Sequence, residues 1–172
     1  MTEQELYDLL SEKGIPFETF HHEAVFTVAE GDAAGVPDLG SHTKNLFLRD
    51  DKKRNFYVVT ADENQQIDLK ALAKRIPSRR LSFAREEMLE EKLGLTAGAV
   101  TPLGILNDES REVTMVFDEG LRGKRIDAHP LVNTATMYIE MDDLVSLLRE
   151  HGNPVVFCEL GPDDVADAGP RG

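Results

Sequence analysis

The chain reads as an α+β fold: a single domain in which a mixed, mostly antiparallel sheet is surrounded by helices. Three observations predict this. Stretches with apolar residues at helical spacing alternate irregularly with short β-rich runs, two of those runs flank a charged turn as the arms of a hairpin do, and no long βαβ series is present. A length of 172 residues suits one domain, with about two thirds of its unfolded surface buried. The domain is expected over residues 1–160, with a disordered Gly-, Pro- and Asp-rich tail over 161–172.

Leu6, Leu9 and Leu10 recur at helical spacing after Thr2, and Gly14 and Pro16 follow, so residues 3–13 are a helix and Phe17 to His21 a strand. Thr27-Val28-Ala29-Glu30 has the spacing of a capping box and opens a short helix that fades at Gly35-Val36-Pro37. Lys44 to Arg49 and Asn55 to Thr60 form the hairpin around Asp50-Asp51-Lys52-Lys53-Arg54. Ile67 to Arg75 is a helix with Leu69, Leu72, Ala73 and Ile76 inward, ended by Pro77. Glu86 to Leu93 is another helix, followed by Gly94 and a loop from Gly98 to Pro102. Strands are expected near Leu103 to Asn107, Val113 to Asp118 and Thr134 to Glu140, then a helix from Asp142 to His151 and a buried final strand to Cys158.

Composition excludes several classes. No apolar run approaches the roughly 20 residues that span a bilayer, and the acidic start Met1-Thr2-Glu3-Gln4-Glu5 lacks the regions of a signal peptide, so a cytoplasmic protein without membrane contact is expected. The single Cys158 has no internal disulfide partner and reads as a small core hydrophobe. A net charge of −13 argues against sequence-independent nucleic-acid binding, DNA included. Locally the balance reverses: six of the 19 Lys and Arg, namely Lys70, Lys74, Arg75, Arg79, Arg80 and Arg85, fall in 16 residues that contain no acid. Such a patch either holds phosphates or is a solvated face.

Common catalytic and metal motifs are missing. There is no Gly-x-Ser-x-Gly elbow, no Cys-x-x-Cys and no His-Glu-x-x-His; His21-His22-Glu23 lacks a ligand spacing; and Gly123-Lys124 has Asp118 where a phosphate loop needs its first glycine. No metal or other cofactor is called for.

Three segments remain. In Ser41-His42-Thr43-Lys44-Asn45-Leu46-Phe47-Leu48-Arg49 a lysine enters an otherwise apolar strand, where an ammonium needs an anion or a functional reason to leave water. Gly98-Ala99-Val100-Thr101-Pro102 couples a residue able to take positive φ with a proline that fixes the exit, and can turn backbone amides toward a carbonyl or oxyanion. Taken alone it is equally an ordinary helix-to-strand loop. His129, extended before Pro130, either lines a pocket or is a satisfied core residue.

Together, Thr43-Lys44-Asn45-Leu46, the Gly98 to Pro102 loop and Asp127-Ala128-His129-Pro130-Leu131-Val132-Asn133-Thr134-Ala135 stand in the order and spacing of the YbaK/ProRS-associated editing-domain family. That family includes the bacterial Cys-tRNA(Pro) deacylase and the insertion domain of prolyl-tRNA synthetase. The chain most resembles its freestanding Ala-tRNA(Pro) deacylase branch, from about Leu6 to Leu148.

The resemblance implies an esterase acting on mischarged tRNA(Pro), with the tRNA acceptor stem as partner and prolyl-tRNA synthetase as a further one. It places the required lysine on Lys44, the glycine loop on Gly98 with Ala99, Val100, Thr101 and Pro102, and the pocket histidine on His129. Thr43 and Asn45 are second donors around the same cleft, and Phe26, Val28 and Leu46 are expected near the amino-acid pocket. Lys70, Lys74, Arg79 and Arg80 are expected to meet acceptor-stem phosphates. Deacylation of Cys-tRNA(Pro) or another aminoacyl-tRNA, or capture of an aminoacyl end or metabolite without turnover, are the competing readings.

Overall fold

A computed structural model describes residues 1–23 and 36–162. In chain order its regular elements begin with α1 (Glu3–Glu12), β1 (Phe17–His21), β2 (Thr43–Asp50), β3 (Phe56–Asp62), α2 (Leu69–Arg75) and β4 (Leu81–Phe83). After these come α3 (Glu86–Leu93), β5 (Thr114–Asp118), β6 (Arg125–Ala128), β7 (Ala135–Glu140), α4 (Met141–His151) and β8 (Val155–Cys158). The fold is α+β, and its strands are mostly antiparallel.

The strands divide into two sheets. One is three-stranded and antiparallel, in the order β1-β7-β6; the other is five-stranded, in the order β4-β2-β3-β5-β8. In the larger sheet β2 runs antiparallel to β3 and β4, while β5 runs parallel to β3 and β8. Both faces of that sheet are covered. Phe47, Val58, Met115 and Phe117 join Leu6, Leu10, Leu93, Met137, Ile139 and Leu148 in the main core, whereas Leu48, Tyr57, Val59 and Val116 pack with Leu72 of α2 and Leu160 in a second. Strand β3 therefore reads as a continuous run with no polar alternation, buried from Phe56 to Ala61.

Local chemistry fixes the element ends. Thr2 and Glu5 exchange hydrogen bonds in a capping box that starts α1, and the Asp68 carboxylate caps α2 by accepting from the Lys70 and Ala71 amides, which moves that helix start from the expected Ile67 to Leu69. The β2–β3 turn is held by the buried Asp50, which accepts from the Arg54 amide and the Asn55 side chain.

The structure corrects the expected strand over Leu103 to Asn107, because Pro102–Asn107 is a 3-10 helix. A short buried apolar run does not distinguish the two by periodicity. Here Pro102 opens a helical turn, the Thr101 hydroxyl caps the Leu103 amide, and Gly104 packs so closely on the buried Leu95 side chain that a Cβ there would force Leu95 to shift. Strands β4 and β6 went unread; each is short and carries arginine at or beside it. The helix expected from Thr27 and the tail over 163–172 lie outside the described residues.

The two sheets meet where β2 begins. The Ser41 amide donates to the Arg125 carbonyl at 2.8 Å and the Asp127 amide donates to the Ser41 carbonyl at 3.0 Å. At Gly40 the chains run so close that a Cβ would lie 2.6 Å from the Arg125 carbonyl oxygen. The Asp127 carboxylate completes the junction. Its Oδ1 accepts from the Thr43 amide and hydroxyl, each at 2.9 Å, and its Oδ2 pairs with His42 Nδ1 at 2.9 Å. Hydrogen bonding to Asp127, with the nearby charges of Asp127, Asp38 and Glu63, raises the His42 pKa against the opposing effect of burial.

Two predictions follow from these networks. Asp108 is 2% exposed and accepts from the Ser110 amide and hydroxyl, the Val113 amide and the Asn153 side chain. Burial pushes its pKa up, but these donors together hold it below the usual carboxylate range. Asp108→Ala leaves them unpaired, and urea unfolding is expected to show a loss of about 3 kcal/mol. For His42, an NMR titration is expected to show a midpoint above the ordinary 6.5, returning toward it in Asp127→Asn. Because the folded value is the higher one, the pair's contribution to stability is full below pH 6.5 and is lost as the pH rises through the folded midpoint.

Candidate active site

Lys44 stands at the second position of β2, half-buried, and its side chain makes no hydrogen bond or ion pair to any of the described residues. Alternation along the strand puts it in one row with Leu46 and Leu48, and puts Thr43, Asn45 and Phe47 in the other. Its neighbours are fixed on both sides. Thr43 is tied to Asp127, and the Asn45 carboxamide accepts through Oδ1 from the hydroxyl of the buried Thr60 at 2.5 Å. The Asn45 amino group has no acceptor among the described residues. This end of β2 thus offers a cation and an oriented amide donor at successive positions, Lys44 on the face of Leu46 and Leu48 and Asn45 on the face of Phe47.

Gly98 lies in a short 3-10 turn, Ala97–Ala99, and does not adopt the left-handed conformation the sequence suggested. Two right-handed turns in succession, the second opened by Pro102, shape the loop without it. Within the loop the Ala99 amide donates to the Thr96 carbonyl at 3.0 Å and the Gly104 amide to the Thr101 carbonyl at 3.1 Å. The amides of Gly98 and of the fully buried Thr101 find no protein acceptor among the described residues. Thr101 is buried and Gly98 half-buried, and donors of this kind are what an anionic or carbonyl oxygen would satisfy. Ala99 and Pro102 are buried and Val100 packs on the main core.

His129 follows the clasp residue Asp127 by two positions and is half-buried, with Nδ1 3.4 Å from the Ala135 carbonyl. Burial depresses its pKa, which keeps the imidazole neutral near pH 7. The loop after it is strained: the Leu131 amide donates to the His129 carbonyl at 2.9 Å, and Leu131 itself has φ of 72°, a region that branched side chains avoid. His22, set aside in the sequence as a ligand, sits close by; its Nε2 is 2.8 Å from the Thr136 hydroxyl, and its charge is among the influences on His129.

The fold therefore brings Thr43, Lys44 and Asn45 to Asp127 and the His129 loop. Leu46 packs instead against the second core with α2, and Phe26 and Val28 lie outside the described residues. Sequence reasoning assigned no role to Asp127, Thr60 or His42. An acid two residues before a candidate histidine was a usable signal for Asp127; Thr60 carried none beyond being the polar residue in the apolar run Tyr57-Val58-Val59-Thr60-Ala61.

The basic cluster lies along α2 and β4. Lys70, Lys74, Arg79 and Arg80 are exposed, but Arg79 is held by Asp51 through Nε and Nη2 at 2.5 and 3.1 Å. Arg75 donates to the Glu159 carbonyl at 2.6 Å. Between α2 and β4 runs a groove of about 560 Å³ with an apolar floor of Leu69, Ala73 and Leu81, flanked by Lys70 and Arg80. No group of three or more His, Cys, Asp or Glu among the described residues is placed to hold a metal.

Comparison with known proteins bears on this arrangement. Residues 22–147 match the model of the aminoacyl-tRNA editing domain. The chain is 42% identical over 152 residues to the prolyl-tRNA editing protein ProX of Acetoanaerobium sticklandii, covering 88% of this chain and 93% of that protein. It is 37% identical over 158 residues to prolyl-tRNA synthetase associated domain-containing protein 1 of Danio rerio, covering 90% and 85%. A crystal structure described as a candidate trans-editing enzyme for prolyl tRNA synthetase shares the fold, with a TM-score of 0.70 at 20% identity over 93% of this chain and 96% of that one. The family match spans the lysine strand, the Gly98 to Pro102 loop and the His129 loop in one unbroken segment, and on it the chain belongs to the aminoacyl-tRNA editing domain family.

Proposed function

We propose that this protein is a trans-editing deacylase that hydrolyses the ester of mischarged Ala-tRNA(Pro). The observation that carries the reading is Lys44, a half-buried cation without a counter-ion among the described residues, at the opening of the strand whose next residue, Asn45, holds an oriented amide. The name of the ProX relative supports the tRNA(Pro) substrate.

In this reading water attacks the carbonyl carbon of the ester, and the bond from that carbon to the ribose oxygen breaks. The ribose oxygen takes up a proton, and free alanine and tRNA leave. No protein nucleophile is needed, since the vicinal ribose hydroxyl assists the water. Negative charge developing on the carbonyl oxygen is met by the amides of Gly98 and Thr101 and by the Asn45 amino group. Lys44 grounds the terminal adenosine through its phosphate or ester end, and Thr43 holds the strand that carries it. His129, kept neutral by burial, lines the amino-acid pocket, with Ala99, Val100 and Pro102 of the loop as its further walls. Selectivity is by volume. One or two methylenes give a synthetase pocket only about 1–3 kcal/mol against alanine, whereas a smaller second pocket admits alanine and rejects proline.

The acceptor stem is assigned to the α2–β4 surface, with Lys70 and Arg80 as its principal cations, Lys74 beside them and Arg79 shared with Asp51. Prolyl-tRNA synthetase is a natural partner for removing its own errors, and the cytoplasm, where tRNA is charged, is the expected compartment.

The primary test is single-turnover hydrolysis of Ala-, Cys- and Pro-tRNA(Pro) in the presence of a chelator. Loss of alanine alone is expected, slowed about 100-fold or more in Lys44→Ala. Preferential release of cysteine would instead make the protein a Cys-tRNA(Pro) deacylase, and tight binding without ester loss would make it a capture module. Replacing Lys70 and Arg80 with glutamine is expected to weaken tRNA binding and flatten its log–log salt dependence by about 1.5. An unchanged slope would remove this surface from the interface.

A further inference from the structure

Thr60 is fully buried in β3, directly opposite Asn45 of β2, and its hydroxyl lies 2.5 Å from Asn45 Oδ1. Its neighbours along the strand, Tyr57, Val58, Val59 and Ala61, are all buried and form an apolar run. Valine would fill that strand position with the same shape and a better β-propensity, so packing alone does not account for a hydroxyl there. What the hydroxyl adds is direction. An amide oxygen only accepts, so Thr60 is the donor in this contact, and a carboxamide whose oxygen is held this way points its amino group elsewhere. That amino group has no acceptor among the described residues, and it lies in the row of Phe47, on the side of the sheet where Val100 of the Gly98 to Pro102 loop packs on the main core.

We infer that Thr60 is a positioning residue: its hydroxyl locks the Asn45 carboxamide so that the amino group faces the ester carbonyl of the bound aminoacyl end. The inference rests on the deacylase reading above and deepens it by naming what orients one of the donors. Thr60 itself touches no substrate. A free asparagine amide flips between two orientations, and the wrong one presents an oxygen to the carbonyl, which repels it. Locking the amide removes that reorganisation from the chemical step and leaves tRNA binding, which depends on remote contacts, unchanged.

The test compares wild type, Thr60→Val, Thr60→Ser, Asn45→Ala and the Thr60→Val/Asn45→Ala double variant in single-turnover hydrolysis of Ala-tRNA(Pro). Thr60→Val is expected to lower the maximal rate about tenfold while moving the half-saturating enzyme concentration less than twofold. Thr60→Ser, which keeps the hydroxyl, is expected to stay within about threefold of wild type. In the Asn45→Ala background Thr60→Val is expected to add less than twofold, because both act through one group. A wild-type rate in Thr60→Val, a Thr60→Ser as slow as Thr60→Val, or losses that multiply in the double variant would each overturn the inference. Should Thr60→Val fail to fold, Thr60→Ala takes its place with the same expectations.

A second readout does not depend on turnover. The Asn45 side-chain amide resonances of the wild type are expected to shift on binding a non-hydrolysable 3′-amide analogue of alanyl-adenosine, and this shift is expected to be lost in the Thr60 variant. A shift that survives unchanged contradicts the lock. A wild type that binds the analogue but cleaves no ester contradicts the deacylase reading instead.

Discussion

The carboxylate of Asp127 is the point on which the arrangement of the site depends. A strand edge from one sheet and the opening of a strand from the other come together at Ser41, and backbone hydrogen bonds alone would leave that junction two bonds wide. Asp127 adds three contacts from one side chain, to the amide and hydroxyl of Thr43 and to the ring of His42. A carboxylate accepts in several directions at once, which a neutral amide in the same place would not do without turning a donor toward a donor. Its burial, with 19% of the side chain exposed, is tolerated because those donors replace water. Lys44 is the next residue after the clasped Thr43, and His129 is two residues after Asp127, so one side chain sets both ends of the candidate site. The absence of a Cβ at Gly40 lets the strands approach closely enough for this geometry.

Much of the fold could be read from the chain because the signals were local. The β2–β3 hairpin, the helices at α1, α3 and α4 and the strands at β1 and β7 each carried their periodicity and their stop residues within a dozen positions. The failures share a cause. The run Leu103 to Leu106 carries no polar residue and is buried from Leu103 to Ile105, and burial erases the difference between a strand and a tight helix. Strands β4 and β6 are too short to show a period, and exist because β2 and β7 offer them an edge. Lys44 announced itself as a charge among apolar residues. Thr60 and Asp127 announced less, because each acts through a side chain on another strand: Thr60 through Asn45 across the hairpin, and Asp127 through Thr43, 84 residues away.

Electrostatics divide the labour within the candidate site. The loop amides and the Asn45 amide are dipoles fixed by backbone and side-chain hydrogen bonds, and such dipoles need little reorganisation as charge develops. Lys44 is a full charge on a flexible stem, better suited to holding an anionic end in place than to following a small shift of charge at one oxygen. The neutral state of His129 fits a wall rather than a charge. Away from this site the acidic surface and the short basic surface act in opposition, and the Arg79–Asp51 pair narrows the basic surface to fewer unshared cations than its composition suggests.

The separation of Thr43 from Asp127, 84 residues, has a consequence for how the protein comes into being. The hairpin that carries Lys44 can form from neighbouring segments, but its clasp is supplied much later in synthesis, and β1 gains its partner only once β7 is made. Such long-range closures come late in folding because the intervening chain must first be ordered. A nascent or partly folded chain thus holds the lysine strand without the partner that positions it. Esterase chemistry appears only with the finished tertiary structure, and an unfinished copy has no organised means of stripping correctly charged tRNA.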